Sequence, residues 1–217
     1  MKITSKLLAA ISFSARAHQN QFRKDGSTPY HAHPMRVAAI TASWGVEDES
    51  ALIAAILHDT IEDTTTDYDD IESAFGEEAA RMTALLTKNS CLPEAKREAS
   101  YYKILSASDW RVRVIKLADG YDNLLDSKYA KVPVTALAKA EKGLALLAFG
   151  DEPPLVRARS ELTILIEEVK TCLRQGEARQ RVSEAEAVAE MEKTLAMMGF
   201  AKNQMEINER RPKIRPV

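Results

Sequence analysis

The segment from Ala51 to Thr64 constrains the fold of this chain more than any other stretch. Its first seven residues read ALIAAIL and are all apolar or small. A run without a polar face predicts a helix that is buried on nearly every side. The segment then ends in the sequence HDTIED, which is rich in ionisable residues. Because a charge removed from water is costly unless it is paired or bound to a metal, this ending indicates a site of chemistry.

The spacing of these ionisable residues suggests how they act together. In a continuous helix, His58 and Glu62 share one face, and Asp59 and Asp63 share the adjoining face. An imidazole beside a carboxylate can bind one cation, with further acid–base groups one turn away. An adjacent His-Asp pair also occurs by chance, and an acidic helix end is usually a solvated loop entrance. The wider sequence therefore has to decide between these interpretations.

The composition argues against several classes of protein. The chain has 217 residues and a formal net charge of −2, which argues against non-specific nucleic-acid binding. Its two cysteines are far apart, so neither a disulfide framework nor a zinc ribbon is expected. No signal-peptide core is evident, and no apolar run approaches the ~20 residues of a membrane span. We therefore expect a cytoplasmic protein.

Helical periodicity runs through the chain without a clear strand pattern, so the predicted fold is all-α. The predicted helices cover residues 5–21, 34–44, 51–64, 68–75, 77–88, a stretch beginning near 109, and 134–149. Pro34 suits the first position of its helix, which would place His33 at or near the N-cap. Thr64 to Thr66 are predicted to cap the helix over residues 68–75. Residues 89–98 are predicted to form a connection.

Two polar residues, Asp119 and Asn123, continue an apolar stripe of the helix that begins near residue 109. A buried aspartate needs a partner, and the cluster of His58 and Asp59 is the natural one. A buried salt bridge fits the periodicity equally well. Gly120 weakens the helix locally and leaves room for a ligand.

The sequence GDEPP at residues 150–154 marks the clearest boundary in the chain. Beyond it, apolar residues recur at helical spacing on both sides of Gly176, which predicts two long helices. These helices are expected to pack on the core or on a second subunit. We therefore predict a domain over residues 1–150, a C-terminal helical extension over 151–200 and a flexible tail over 201–217.

Three separated motifs carry a family resemblance. They are FRKDG followed by PY and HP in residues 22–34, LHD followed by EDT in residues 57–64, and KLAD followed by NL in residues 116–124. In this order they resemble the HD-superfamily hydrolase domain of the RelA/SpoT family, and in particular its stand-alone small alarmone hydrolases. Three ordered motifs are far more specific than one. The resemblance implies an HD-domain helical bundle with additional C-terminal helices.

The resemblance also implies a metal site of His33, His58, Asp59 and Asp119 that holds manganese, Mn²⁺. Two imidazoles and two carboxylates fit that ion, although their chemistry alone also admits zinc or iron.

Five further residues match functional positions of the family. Glu62 and Asp63 match its catalytic acidic pair, and Arg23, Lys24 and Asn123 match residues that contact the nucleotide.

The implied activity is 3′-pyrophosphohydrolysis of alarmone nucleotides, (p)ppGpp or (p)ppApp. Water attacks the 3′-proximal phosphorus, and pyrophosphate leaves together with the 5′-phosphorylated nucleoside. One alternative is an HD phosphohydrolase for another nucleotide, such as NADPH or a nucleoside triphosphate. Another is a catalytically weakened nucleotide-sensing or antitoxin-like protein. The expected partners are a nucleotide substrate and, through the C-terminal helices, a second copy of the chain. Neither nucleic acid nor a membrane is expected as a partner.

The third motif departs from the family. The family commonly continues DRLHNMRT, whereas residues 119–126 read DGYDNLLD. Gly120 and Leu125 therefore stand where the family has arginines, and a phosphate or base contact is expected to be missing. The departure leaves base preference open but keeps the implied metal ligands.

Overall fold

The computed structural model describes residues 3–128 and 134–209, and ten α-helices are assigned in these ranges. The helices are α1 (Ser5–Ala17), α2 (Ala32–Ser43), α3 (Glu49–Leu57), α4 (Thr60–Asp63), α5 (Tyr68–Phe75), α6 (Glu77–Leu86), α7 (Glu94–Ser106), α8 (Trp110–Lys128), α9 (Val134–Leu147) and α10 (Pro153–Glu209). Within these ranges no β-strand is assigned, and one isolated antiparallel bridge joins Phe22 to Pro29. The predicted all-α fold is confirmed.

Helix α3 forms the centre of the core. All residues from Ala51 to Leu57 are buried, as the sequence predicted, and the helix packs against α1, α2, α6 and α8. Leu52, Ile53 and Ile56 are at most 2% exposed. Burying one such side chain stabilises the fold by about 1.5–3 kcal/mol. The end of α3 is therefore held in a fixed position within the bundle.

Side-chain caps fix where two of the core helices begin. The Thr4 hydroxyl accepts a hydrogen bond from the Leu7 amide at 3.1 Å at the start of α1. The Asp48 carboxylate accepts one from the Ala51 amide at 2.7 Å at the start of α3. Each cap satisfies an amide that has no partner within its own helix and contributes about 1 kcal/mol.

The prediction of one continuous helix over residues 51–64 is wrong. Helix α3 ends at Leu57, and the short helix α4 begins at Thr60, so His58 and Asp59 form a turn between them. The Thr60 hydroxyl donates to the Leu57 carbonyl oxygen at 2.7 Å. A hydroxyl that takes a local carbonyl in this way competes with the backbone ladder of the helix. The break changes how the ionisable residues are displayed.

The predicted start of α2 is also wrong. Helix α2 begins at Ala32 with His31 as the capping residue, so Pro34 is its third residue and not its first, while His33 lies in the first turn, near the N-cap as predicted. The His33 amide donates to the Tyr30 carbonyl oxygen at 2.9 Å, which starts the turn before Pro34. Pro34 is tolerated here because amides in the first turn lack helical partners.

Four other predicted features differ from the structure. Helix α1 ends at Ala17, short of the predicted residue 21, and Asn20 has a φ of 65° in the left-handed region, which stops a helix. Asp67, and not Thr64 to Thr66, caps α5 through a reciprocal capping box with Asp70. Helix α6 ends at Leu86, two residues early. Helix α7 occupies residues 94–98, which were predicted to belong to a connection.

The C-terminal region differs from the predicted pair of helices. Helix α10 is a single helix that passes through Gly176, since an interior glycine costs only about 1 kcal/mol relative to alanine. The chain divides into two compact units, Met1–Val169 and Lys170–Val217. Residues 210–217 of the predicted tail lie outside the described residues, whereas residues 201–209 are helical. The domain boundaries at residues 150 and 200 stay a prediction.

In the parts of the chain that the structure describes, no helix is both long enough and apolar enough to cross a membrane.

Candidate active site

Three helical segments bring together two histidines and an aspartate. His33 comes from the first turn of α2, His58 follows the last residue of α3, and Asp119 lies in the middle of α8. One potential ligand atom from each residue lies within 4.8 Å of the others, and all three side chains are buried. These residues, which we call the His–Asp cluster, were predicted to meet from sequence.

His58 presents a free nitrogen to the cluster. Its Nδ1 donates to the Ala55 carbonyl oxygen at 2.8 Å, so in the neutral ring the lone pair is on Nε2. Nε2 lies 3.1 Å from Asp59 Oδ2 and 3.9 Å from Asp119 Oδ1. It is buried, and it has no hydrogen-bond partner among the described residues. A buried nitrogen of this kind is suited to bind a metal ion.

His33 is held from both sides of its ring. Its Nε2 lies 3.1 Å from Asp119 Oδ1 and 3.6 Å from Asp59 Oδ2, while Nδ1 donates to Asp122 Oδ2 at 2.7 Å. Burial alone would lower the pKa of His33, but the hydrogen bonds to Asp119 and Asp122 outweigh it and raise the pKa to about 9. The ring is thus fixed by negative charge on both sides.

Asp59 lies beside the His–Asp cluster with its Oδ2 close to both histidines. The Tyr30 hydroxyl donates to the same oxygen at 2.8 Å. Burial raises the pKa of Asp59, but the adjacent His58 ring and then His33 outweigh burial, so the net shift of the pKa is downward. An ionised carboxylate here completes a set of two imidazoles and two carboxylates.

The sequence left open whether Asp119 joins the cluster of His58 and Asp59 or forms a buried salt bridge, and the structure shows both. Besides the two histidines, Asp119 accepts hydrogen bonds from Lys116 Nζ and Asn123 Nδ2, each at 2.6 Å. Burial raises its pKa, but Lys116 and the histidines outweigh burial and lower the pKa well below its ordinary value. Asp119 is therefore ionised and oriented at neutral pH.

The donor set fits a divalent metal ion. Buried nitrogen and carboxylate oxygen atoms converge from separate helices, and each histidine is oriented through its other nitrogen. Imidazole and carboxylate together suit manganese, iron or zinc. We therefore assign a divalent metal centre to the His–Asp cluster.

The predicted acidic pair is close to the metal centre but is displayed differently from the prediction. Because the helix breaks after Leu57, Glu62 lies on α4, and it does not share a helical face with His58. Lys88 donates to Glu62 through its backbone amide and its Nζ, each at 3.2 Å. The Tyr30 hydroxyl donates to Asp63 Oδ2 at 3.1 Å. Partial desolvation and then the charge of Asp59 raise the pKa of Asp63.

A cavity of about 870 Å³ opens over the metal centre. Eight of the nine residues singled out from sequence line it: Arg23, Lys24, His33, Asp59, Glu62, Asp63, Asp119 and Asn123. The ninth residue, His58, is buried and does not line the cavity. Further cations on the walls are Lys88, Lys116 and Lys139. The cavity therefore combines a metal centre with several positive side chains.

Arg23 is oriented toward the cavity by two side chains of α8. Its Nη2 donates to Asn123 Oδ1 and to Asp126 Oδ2, each at 2.9 Å. Asn123 also donates to Asp119, so one amide links a cationic side chain to a residue of the metal centre. Gly120 lies on the same wall, and a Cβ built there would meet nothing within 4 Å.

Sequence reasoning missed three residues that shape the site. Asp122 partners His33, Tyr30 bridges Asp59 and Asp63, and Lys116 pairs with Asp119. Asp122 had a usable signal, because it lies three residues after Asp119 on the same helix. Lys116 and Tyr30 belong to the recognised motifs, but periodicity alone gave neither residue a partner.

An all-α fold around a buried histidine–aspartate metal centre defines a protein of the HD-domain class. A family model described as HD domain matches residues 10–147. Several relatives carry the name guanosine-3′,5′-bis(diphosphate) 3′-pyrophosphohydrolase MESH1, among them the following two. The Danio rerio protein is 39% identical over 125 residues, which cover 57% of this chain and 69% of the relative. The Homo sapiens protein is 40% identical over 124 residues, which cover 56% of this chain and 69% of that relative. The chain belongs to this family of HD-domain 3′-pyrophosphohydrolases, as the motifs predicted.

A solved structure supports the same assignment. It is described as a metazoan ortholog of SpoT that hydrolyzes ppGpp and plays a role in starvation responses. The two proteins share 26% sequence identity and a TM-score of 0.65, and the match covers 75% of this chain and 96% of that chain. The HD-domain helical fold predicted from the motifs is therefore confirmed.

Proposed function

We propose that this protein is a metal-dependent 3′-pyrophosphohydrolase of alarmone nucleotides, (p)ppGpp and/or (p)ppApp. The observation that carries the proposal is the metal centre in the wall of a cavity of about 870 Å³ with five cationic side chains. A nucleotide with two phosphate chains carries several negative charges. The lining also contains seven carboxylates, so these charges are complemented by individual cations and a bound metal ion and not by a positively charged wall. The names of the relatives support the same substrate class.

His33, His58, Asp59 and Asp119 hold one divalent ion in this proposal, and Mn²⁺ is the ion that we propose. The unpartnered His58 Nε2 and the carboxylate oxygens around it support this set. When bound, such an ion lowers the pKa of a water molecule and polarises a phosphoryl oxygen.

Arg23, Lys24 and Asn123 are proposed to bind the nucleotide. Arg23 presents a planar guanidinium that can make paired hydrogen bonds to phosphate, whereas Lys24 acts as a point charge. Asn123 accepts a hydrogen bond from Arg23 and donates one to Asp119. It can therefore hold a phosphate bound by Arg23 at a fixed distance from the metal centre. This arrangement favours a pose with the 3′-pyrophosphate at the His–Asp cluster.

Glu62 and Asp63 are proposed to move the protons of the reaction. Glu62 accepts a proton from the attacking water, whose oxygen forms a bond to the 3′-proximal phosphorus. The bond between that phosphorus and the 3′-oxygen breaks, and Asp63 delivers a proton to the 3′-oxygen. The raised pKa of Asp63 supports its role as the acid. The products are pyrophosphate and the 5′-phosphorylated nucleoside.

A substrate panel tests this function. The Mn²⁺-loaded protein is incubated with guanosine and adenosine 3′-pyrophosphates, nucleoside triphosphates and NADPH, and the phosphorus products are identified by ³¹P NMR. From each 3′-pyrophosphate we expect two products, namely pyrophosphate and the matching 5′-phosphorylated nucleoside with a free 3′-hydroxyl. Turnover of another nucleotide alone would instead favour the wider HD phosphohydrolase function. Binding of nucleotides without turnover would favour a sensor.

We also propose a cytoplasmic location and self-association through the C-terminal helix. Cys91 and Cys172 are exposed and unpaired, which is typical of a reducing compartment. Light scattering of the full chain would test the assembly.

A further inference from the structure

We propose that Asp122 is a positioning residue of the metal centre, and that its carboxylate, held in place by Arg36, orients His33 toward the metal ion. This inference rests on the proposed function, because it concerns the same metal centre. It adds two residues to the centre that neither the motifs nor the metal ligand set contain.

Helix α8 holds both nitrogens of the His33 ring. Asp119 Oδ1 lies 3.1 Å from Nε2, and one turn later Asp122 Oδ2 accepts a hydrogen bond from Nδ1 at 2.7 Å. Residues three apart on a helix lie on neighbouring parts of its surface, so one helix can place carboxylates at both edges of the ring. The orientation of His33 is therefore set by α8, although His33 itself belongs to α2.

Asp122 is almost completely buried, with only 1% of the residue exposed. A buried carboxylate is costly unless charged partners satisfy its oxygens. Arg36 supplies two such contacts, from Nε to Oδ1 at 2.6 Å and from Nη2 to Oδ2 at 3.0 Å. The guanidinium thus compensates the carboxylate while leaving it directed at His33.

The hydrogen bond to Asp122 decides which nitrogen of His33 faces the cluster. In the neutral ring, the form that binds a metal, a proton on Nδ1 leaves the lone pair on Nε2, the nitrogen that points at Asp119 and Asp59. His58 obtains the same arrangement from the Ala55 carbonyl oxygen. The two histidines therefore share one tautomer but have different partners, and only His33 has a carboxylate there. Such a carboxylate also makes the imidazole a stronger ligand.

The test measures Mn²⁺ binding to the metal-free full-length protein by isothermal titration calorimetry, without nucleotide. Asp122→Asn keeps the shape of the side chain and removes its charge. We expect its dissociation constant to rise by about 10- to 100-fold, the usual effect of losing such a partner. Asp126→Asn is the matched control, because Asp126 lies on the same helix and also pairs with Arg36. In the part of the chain that the structure describes, Asp126 pairs with Arg23 and Arg36 and makes no hydrogen bond or ion pair with either histidine, so the control should bind Mn²⁺ like the wild type.

A purely structural role for Asp122 predicts a different result. In that case Asp122→Asn lowers the melting temperature of the metal-free protein but leaves the Mn²⁺ dissociation constant unchanged, which overturns the proposal. If Asp122→Asn does not fold, the double variant Arg36→Gln/Asp122→Asn replaces both members of the ion pair and avoids an unpaired buried group. Wild-type affinity in the double variant would equally overturn the proposal.

The readout separates this inference from the proposed function. Weaker Mn²⁺ binding by Asp122→Asn supports the inference even if the wild type hydrolyses no alarmone. Unchanged binding overturns the inference even if the wild type hydrolyses alarmones rapidly. A wild type that binds no Mn²⁺ also overturns it.

Discussion

At the scale of single residues, the site depends on which nitrogen of each histidine is free. In both His33 and His58, Nδ1 donates a hydrogen bond away from the cluster, and Nε2 faces the carboxylates. The histidines are therefore arranged as ligands before any ion binds. This arrangement reduces the ordering that metal binding requires.

Variants should separate metal binding from proton transfer. Asp59→Ala removes a carboxylate from the centre, so we expect loss of both metal binding and hydrolysis. Glu62→Gln keeps the metal but should reduce turnover by about 10²- to 10⁴-fold, the usual contribution of a general base. Metal content by mass spectrometry and single-turnover rates provide the measurements. Turnover of Glu62→Gln at the wild-type rate would exclude Glu62 as the base.

The metal-free protein should lose stability as the pH rises from about 6.5 to about 9. The pKa of His33 is raised in the folded state from its ordinary 6.5 to about 9, so folding favours the protonated ring. Its contribution is fully present below pH 6.5 and is lost as the pH passes through 9. The change is on the order of 3 kcal/mol. Urea unfolding of chelator-treated protein across this range measures it, and a free energy of unfolding that increases with pH would contradict the expectation.

The motifs identified the residues that meet at the cluster but missed the partner of His33. Arg36 and Asp122 lie 86 positions apart in sequence, and their contact depends on how α2 packs against α8. Helical periodicity can predict that Asp122 faces inward, but it cannot identify a partner on another helix. The family motif carries histidine at position 122, so the resemblance assigned no role to an aspartate there.

At the scale of elements, the break between α3 and α4 was the feature that periodicity could not predict. The apolar run correctly predicted the buried helix from Ala51 to Leu57. The break depends on local bonds, from the Thr60 hydroxyl to Leu57 and from the His58 ring to Ala55. The order of most helices could be predicted from the apolar pattern. The residues at which several helices begin or end depend instead on side-chain hydrogen bonds and on a residue in the left-handed backbone conformation, Asn20.

The cap of α3 should contribute to stability without taking part in the chemistry. Asp48→Ala removes the acceptor for the Ala51 amide, and we expect the free energy of unfolding to fall by about 1 kcal/mol. Chemical denaturation measures this change. Asp48→Asn is the matched control, because its side-chain oxygen can still accept the bond while the ion pair with Arg111 is lost. Equal losses in the two variants would assign the effect to the ion pair and not to the cap.

At the scale of the whole molecule, the proposed chemistry belongs to the first compact unit. All the residues that line the cavity lie before residue 170, within Met1–Val169. We therefore expect a chain that ends after Val169 to retain Mn²⁺ binding and hydrolysis, while any self-association is lost. Calorimetry, the hydrolysis assay and light scattering measure the three properties. Loss of metal binding in a folded truncated chain would show that the second unit contributes to the site.

The most direct test of the account is pyrophosphate release in a single turnover of guanosine and adenosine 3′-pyrophosphates. Mn²⁺-loaded wild type is measured beside Asp59→Ala, with metal content determined for both proteins. We expect rapid release of pyrophosphate from at least one of the two nucleotides by the wild type and none by the variant. No release from either nucleotide by wild-type protein that holds its metal would contradict the account.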